Sequence, residues 1–464
     1  MTSLATLLTE HPAVDADPLI RTLGAVITAG EARARAGAVG STLRSIGVSS
    51  GMAVAVSLAD GPDFVTAMFG VWLADAVFVP VDARVPAGER DRIVAELRCA
   101  AMIDADGTRR LPVGADGVAV HESGCAFVLW TSGTTGRPTP VLHTHEAYIE
   151  LLDRVLGPLR AGGAPRRPSA PNLVPVALAA NAGIYNVLFG LRAGAELVLP
   201  GAFTTDSFAA AVGRFGIRST VLPPAAITML NDDDTIESLE PLRYVRSITA
   251  PLSPLQARRF TDRFGVVVLN GYGQAEIGEV IGWTAADARE HPDRIGAVGR
   301  PHPGVDVRIA DADAEGVGRL LVRPPNTAVG DAHGGTALAA RTTPDGFVDT
   351  GDLARVDDAG FVWIEGRVGD LINRGGNKVF PEAVEEVLRL HPGVVDAAVV
   401  GWPDDRLGEV PVAFVVCAQP CDSDRLDAHC REHLVAYKVP VEFRAVDALP
   451  RNDAGKLLRR ELRP

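Results

Sequence analysis

Phe127 to Val141 reads FVLWTSGTTGRPTPV, an apolar run that breaks abruptly into hydroxylated residues and glycines. Thr131, Ser132, Thr134 and Thr135 offer O–H donors. Gly133 and Gly136 let backbone N–H groups approach a ligand with no Cβ in the way, which is the nest chemistry that holds phosphates. The spacing is not that of the Gly-x4-Gly-Lys-Ser/Thr loop, so that class of nucleotide site is excluded. Phe264 to Glu276, FGVVVLNGYGQAE, is a strand that ends in glycines, an aromatic ring and a carboxylate. The carboxyl ends of strands are where open parallel sheets bind ligands. Asp352, in VDTGD, can accept two hydroxyl donors on one ionised carboxylate. Each stretch alone has a plainer reading, as a polar loop, a strand end or a turn.

These residues need a scaffold that carries them to one edge, and the pattern of the chain supplies it. Residues 18–48 are expected as helix, because Ala, Leu and Ile recur at three and four. Gly51 to Leu58 reads as a buried strand, Pro62 to Leu73 as a helix, Ala76 to Val81 as a strand and Pro86 to Leu97 as a helix. Short apolar strands alternating with amphipathic helices imply an α/β fold, a mostly parallel sheet covered on both faces. Residues 173–200 repeat the strand, helix, strand order. From Phe380 onward, three apolar strands and helices at 381–390 and 423–436 make a compact α+β unit.

With 464 residues and 47% hydrophobic content, the chain can bury one large core and a smaller one. A net charge of -13 argues against a nucleic-acid or anionic-membrane surface, which needs clustered Lys and Arg. Cys99, Cys125, Cys417, Cys421 and Cys430 are odd in number and scattered, so no disulfide framework is expected. There is no basic segment before the first apolar residues and no run of ~18 uncharged apolar residues, so a cytoplasmic protein without membrane insertion is expected. His143-Thr-His145-Glu146 is expected as a capping or packing pair, and the group Cys417, Cys421, His429, Cys430, whose spacing matches no usual zinc ligand pair, as a chance cluster.

TSGTTGRP resembles the phosphate-binding signature TSGTTGxPKG of the adenylate-forming enzymes, the superfamily of acyl- and aryl-CoA synthetases, luciferases and peptide-synthetase adenylation domains. Four further stretches in the right order are similar to that family's other signatures, and together they cover the chain from about Gly47 to its end. The resemblance implies layered sheets plus a distorted β-barrel in a large domain, 1–367, and a small mobile domain, 368–464. It implies that Thr131 to Gly136 and Tyr272-Gly273-Gln274 bind ATP, with Tyr272 on the adenine and Glu276 holding Mg2+. Asp352 is then the ribose acceptor, Arg367 reaches ribose or phosphate, Gly369 is the hinge, and Lys456, in LPRNDAGK, is the catalytic lysine. Ala177, Leu178, Ala182, Tyr185 and Gly271 line the acid pocket.

The family pattern is broken in places. Val176, Ala177 and Leu178 follow Pro175 where an aromatic and a His are usual, Ile248 and Thr249 replace small residues beside the adenine, and Ala275 replaces a Thr. No acidic residue precedes Glu196 in the pocket stretch, so a bare amino acid would bury its ammonium unpaired, and an aryl or acyl acid suits the pocket better. Thr139 stands where the phosphate signature has its own Lys, which places more weight on Lys456. An ammonium ~4 Å from the reacting phosphate, at an effective dielectric of ~20, is worth roughly 4 kcal/mol, about three decades in rate. The expectation is an AMP-forming ligase of secondary metabolism that uses ATP and Mg2+, activates a carboxylic acid and passes it to coenzyme A or to the phosphopantetheine of an acyl carrier protein. The departures keep open an enzyme that passes its adenylate to an amine or another nucleophile, while the intact Glu276, Asp352, Arg367 and Lys456 speak against a third reading, a degenerate nucleotide-binding partner subunit.

Overall fold

The computed structural model describes residues 3–112, 117–131, 139–160, 170–328, 330–331, 337–420, 422–451 and 457–464. It separates into two compact units, Met1–Ile295 with Gly299–Asp306 and Arg323–Gly346, and Gly296–Val298 with Val307–Val322 and Phe347–Pro464.

The first unit holds two large sheets. In the seven-stranded sheet, Ala53–Ser57 lies parallel between Val77–Pro80 and Ala101–Asp104, and Cys125–Thr131 joins Val77–Pro80 on its other side. Ala53–Ser57 is buried at every residue, as a strand covered on both faces must be, so it is apolar without alternation. The nine-stranded sheet runs parallel from Leu197–Val198 through Asn172–Leu173, Ser219–Val221 and Tyr244–Ser247 to Val267–Gln274. There it turns back on itself through the antiparallel strand Gly278–Gly282.

One core joins the facing sides of these sheets through the helices Ala29–Ser45, Pro62–Leu73, His145–Arg160 and Asn181–Arg192. Its aromatic centre is Phe64, Phe69, Trp72, Phe78 and Phe127, packed edge to face or tilted, with the Trp72 indole N–H donating to the Ala126 carbonyl at 2.8 Å. Burying each such ring contributes about 2 kcal/mol. The outer face of the nine-stranded sheet is covered by Thr205–Phe215, Pro224–Asp232 and Pro254–Phe264.

Residues 18–28 depart from the helical expectation. They form a hairpin, Pro18–Arg21 with Val26–Thr28, and the helix begins only at Ala29. Thr28 caps that helix by accepting from the Glu31 N–H, while Glu31 accepts from the Thr28 N–H in return. That reciprocal cap fixes the start. Leu19 and Ile20 are buried because their strand pairs with Leu197–Val198, so their apolar spacing belongs to a sheet edge.

The second unit contains an antiparallel four-stranded sheet, Asp306–Ala310, Gly318–Arg323, Val348–Val356 and Val362–Arg367. It also contains a terminal layer built on the long pair Val394–Asp404 and Gly408–Cys417. Period-two alternation splits that pair between two cores: Ala397 and Val399 pack with the helices Pro381–Arg389 and Ser423–His433, while Ala398 and Val400 pack with Phe414 and Leu449. Cys417 takes part in a disulfide, against the expectation of reduced cysteines, while Cys99, Cys125 and Cys430 are free and buried. Among the described residues no helix is long and apolar enough to cross a membrane, and no cluster of three His, Cys, Asp or Glu could hold a metal.

Candidate active site

The strand Val267–Gln274 carries Gly271, Tyr272, Gly273 and Gln274 to the carboxyl edge of the parallel sheet and turns there into Gly278–Gly282. The turn is tight, since a Cβ at Gly273 would overlap the Gly278 carbonyl oxygen, so glycine is required by close approach. Tyr272 is half-buried, and its hydroxyl lies 3.4 Å from Gln274 Nε2. Glu276 sits in the turn itself, its backbone carbonyl accepting from the Ala328 N–H at 2.8 Å.

Arg341, which the sequence reading did not single out, donates to Glu276 Oε1 at 2.7 Å and lies 3.4 Å from Gln274 Oε1. The expected metal ligand is therefore a half-buried carboxylate with a guanidinium on one oxygen. A hard carboxylate beside a phosphate site fits Mg2+, which is commonly held by one or two carboxylates and substrate phosphates.

The expected acid pocket starts at Ala177, half-buried, and continues through Leu178, Ala182 and Tyr185, all buried. Asp60 fixes the backbone there by accepting from the Leu178 N–H at 2.8 Å, and burial raises the Asp60 pKa above the usual carboxylate range. Tyr185 leads to a group the sequence reading missed. Glu279, whose side chain is 6% exposed, pairs with Arg246, has His302 Nε2 at 3.1 Å on the same oxygen, and has the Tyr185 hydroxyl at 3.4 Å on the other. Arg154 donates to the Glu279 backbone carbonyl at 3.2 Å. Burial alone would raise the Glu279 pKa, but the Arg246 charge and the His302 hydrogen bond outweigh it and hold the carboxyl at about 2.

The signal for this cluster was present as a lone charge in each of two apolar strands, YVRS and GEVIG. Arg246 and Glu279 flank the central strand from either side and meet across Gly271. That meeting required knowing which strands are neighbours.

The turn expected beside the adenine has an unusual backbone. Thr249 has a φ of 82°, in the left-handed region that a β-branched residue rarely adopts. The histidine pair has packing roles, as expected. His143 stacks on Phe127 with centroids 5.1 Å apart, and His145 Nδ1 accepts from the Leu4 N–H at 3.1 Å. Burial lowers both to about 4.

In the second unit, Asp352 and Arg367 face each other across Val348–Val356 and Val362–Arg367, with Arg367 Nε 3.0 Å from Asp352 Oδ1. Asp352 is 3% exposed and its N–H donates to the Thr350 hydroxyl. Gly369 lies in a short 3-10 turn, Val368–Asp370, and a Cβ there would meet nothing within 4 Å. Thr131 ends its strand, while Ser132, Gly133, Thr134, Thr135, Gly136 and Lys456 lie outside the described residues.

The AMP-binding enzyme family model matches residues 8–115 and 112–330, and the AMP-binding enzyme C-terminal domain matches 383–456. Sulfoacetate–CoA ligase of Cupriavidus necator is 30% identical over 95% of this chain and 92% of its own length. Feruloyl-CoA synthase of an Amycolatopsis species is 31% identical over 96% of this chain and 95% of its own. Among solved structures, the amide bond synthetase McbA of Marinactinospora thermotolerans has a TM-score of 0.85 at 26% identity, over 99% of this chain and 98% of that one. By these family matches and relatives, the chain belongs to the AMP-binding enzymes of the adenylate-forming superfamily.

Proposed function

We propose that the protein activates an aryl or acyl carboxylic acid with ATP and passes it to a thiol, coenzyme A or a carrier-protein phosphopantetheine, in the cytoplasm. The acid's carboxylate oxygen attacks the α-phosphorus, the bond to the β-phosphate oxygen breaks, and acyl-adenylate and pyrophosphate form. The thiol then attacks the acyl carbon and AMP leaves. The observation that carries this reading is Glu276, a half-buried carboxylate placed by an aromatic-glycine strand end at the carboxyl edge of a parallel sheet.

Bound at Glu276, Mg2+ would neutralise phosphate charge. Tyr272 offers a flat face for the adenine, and the buried Asp352 offers a carboxylate to ribose hydroxyls, with Arg367 holding its orientation. Lys456 supplies the ammonium that meets charge growing on the α-phosphate. Arg341 adds a cation at the Glu276 turn of a chain that has Thr139 in place of the phosphate-loop lysine.

A second reading, transfer of the acyl group to an amine, is favoured by the likeness to an amide bond synthetase. A pyrophosphate-release screen across aryl, fatty and amino acids tests the first step. The wild type is expected to release pyrophosphate with an aryl or acyl acid, and Lys456→Ala to slow that release by about a thousandfold. Undiminished release by the variant removes Lys456 from its role. Thioester formation with coenzyme A or a carrier protein, set against amide formation with amines, separates the two acceptors.

A further inference from the structure

Tyr185 and Gly271, both expected to line the acid pocket, are also the residues that meet Glu279: one through its hydroxyl, the other because it has no side chain. A Cβ at Gly271 would stand 3.0 Å from Glu279 Oε1, and one at Gly282 would stand 2.8 Å from it, so two glycines leave room for this carboxylate and the partners of its Oε1. Leu178 and Ala182, also expected in that pocket, are buried and apolar.

We infer that Arg246 and Glu279 form the inner end of the acid pocket and select aromatic acids that carry a hydrogen-bond donor, a ring hydroxyl or N–H, away from the carboxylate. This rests on the acid-activating reading above. Glu279 Oε1 is occupied by Arg246 and His302. Oε2 has the Tyr185 hydroxyl at 3.4 Å, longer than an ordinary O–H···O bond. An ionised carboxylate accepts about four hydrogen bonds, so a donor on the substrate completes its shell. A hydrocarbon ring end would strip water from that oxygen and return nothing. A second carboxylate on the substrate fits no better, because the Arg246 charge is already met by Glu279 and the newcomer would face an anion.

The test uses matched acids that differ by one hydroxyl: benzoate with 4-hydroxybenzoate, and cinnamate with 4-hydroxycinnamate. Pyrophosphate release is read as kcat/KM beside a melting temperature. In the wild type the hydroxylated member of at least one pair is expected to be favoured by at least about tenfold, since a site built to hydrogen-bond a hydroxyl rejects the analogue lacking it. The double variant R246M/E279L removes both charges together, so neither is left buried alone. It is expected to abolish or invert that preference.

If the double variant does not fold, Glu279→Gln, which keeps the shape and weakens the acceptor, is expected to reduce the same ratio. A folded variant that loses activity toward all acids equally, with the ratio kept, gives the pair a purely structural role and overturns the proposal. A wild type that releases pyrophosphate without preferring either hydroxylated acid overturns it too. No pyrophosphate from any acid sinks the acid-activating reading itself, and the pocket assignment falls with it.

Discussion

Thr249 is exposed and sits at a φ of 82°, a conformation that costs a β-branched residue about 1–2 kcal/mol. Glycine adopts that φ freely but loses more chain entropy on folding, roughly 0.5–1 kcal/mol. Thr249→Gly is therefore expected to stabilise the protein by about 1 kcal/mol, read as a higher urea midpoint; an unchanged or lower midpoint means the turn is not strained. The strain itself was not legible in the sequence. The substitution was, because Ile248 and Thr249 stand where the resembled family has small residues. Placement at a strand end was readable in this way for Tyr272, with Glu276 just beyond it, whereas Asp352, expected in a turn, lies inside the continuous strand Val348–Val356, where pairing with Arg367 carries the chain through Gly351. Arg341 was not, because a loop arginine 65 positions from Glu276 in sequence carries no local mark of the carboxylate it reaches.

Elements reach the site through one another, and the strand Thr139–Thr144 is the clearest case. It places His143, buried, close to the Ala275 backbone in the turn that carries Glu276. Burial favours the neutral ring, so the folded protein binds this proton only near pH 4, whereas an unfolded chain binds it near 6.5. The resulting stability is complete above pH 6.5 and is lost as pH falls from 6.5 towards 4, about 3 kcal/mol in all. Chemical denaturation across that window should show a shallower loss for His143→Asn than for the wild type; parallel curves would remove His143 from the account.

Element types were legible where period and length agreed. Pro62–Leu73 and Ala53–Ser57 came out as expected. Residues 18–28 did not, because a hairpin pairing with Leu197–Val198 buries the same apolar residues a helix would.

At the scale of the molecule, the layered α/β architecture was legible from alternating strands and helices. The pairing of strand neighbours, and with it the Arg246–Glu279 bridge, was not, since adjacency in a sheet is a non-local fact. The proposed hinge belongs here. Gly369 has open space where a Cβ would stand, so the conformation seen makes no demand for glycine at that position. If the residue is kept free for a rotation, Gly369→Ala should leave the melting temperature and pyrophosphate release near wild type. Gly369→Pro should leave release measurable while slowing thioester formation by at least about tenfold. Equal slowing of both steps by the proline counts against a hinge.

The charged bridge over Gly271 also shapes how such a protein changes over generations. Losing either partner alone strands a buried ion at a cost of about 3–5 kcal/mol, while replacing both together is nearly neutral. A lineage that exchanges this bridge must therefore cross a poorly folding intermediate or change two codons at once.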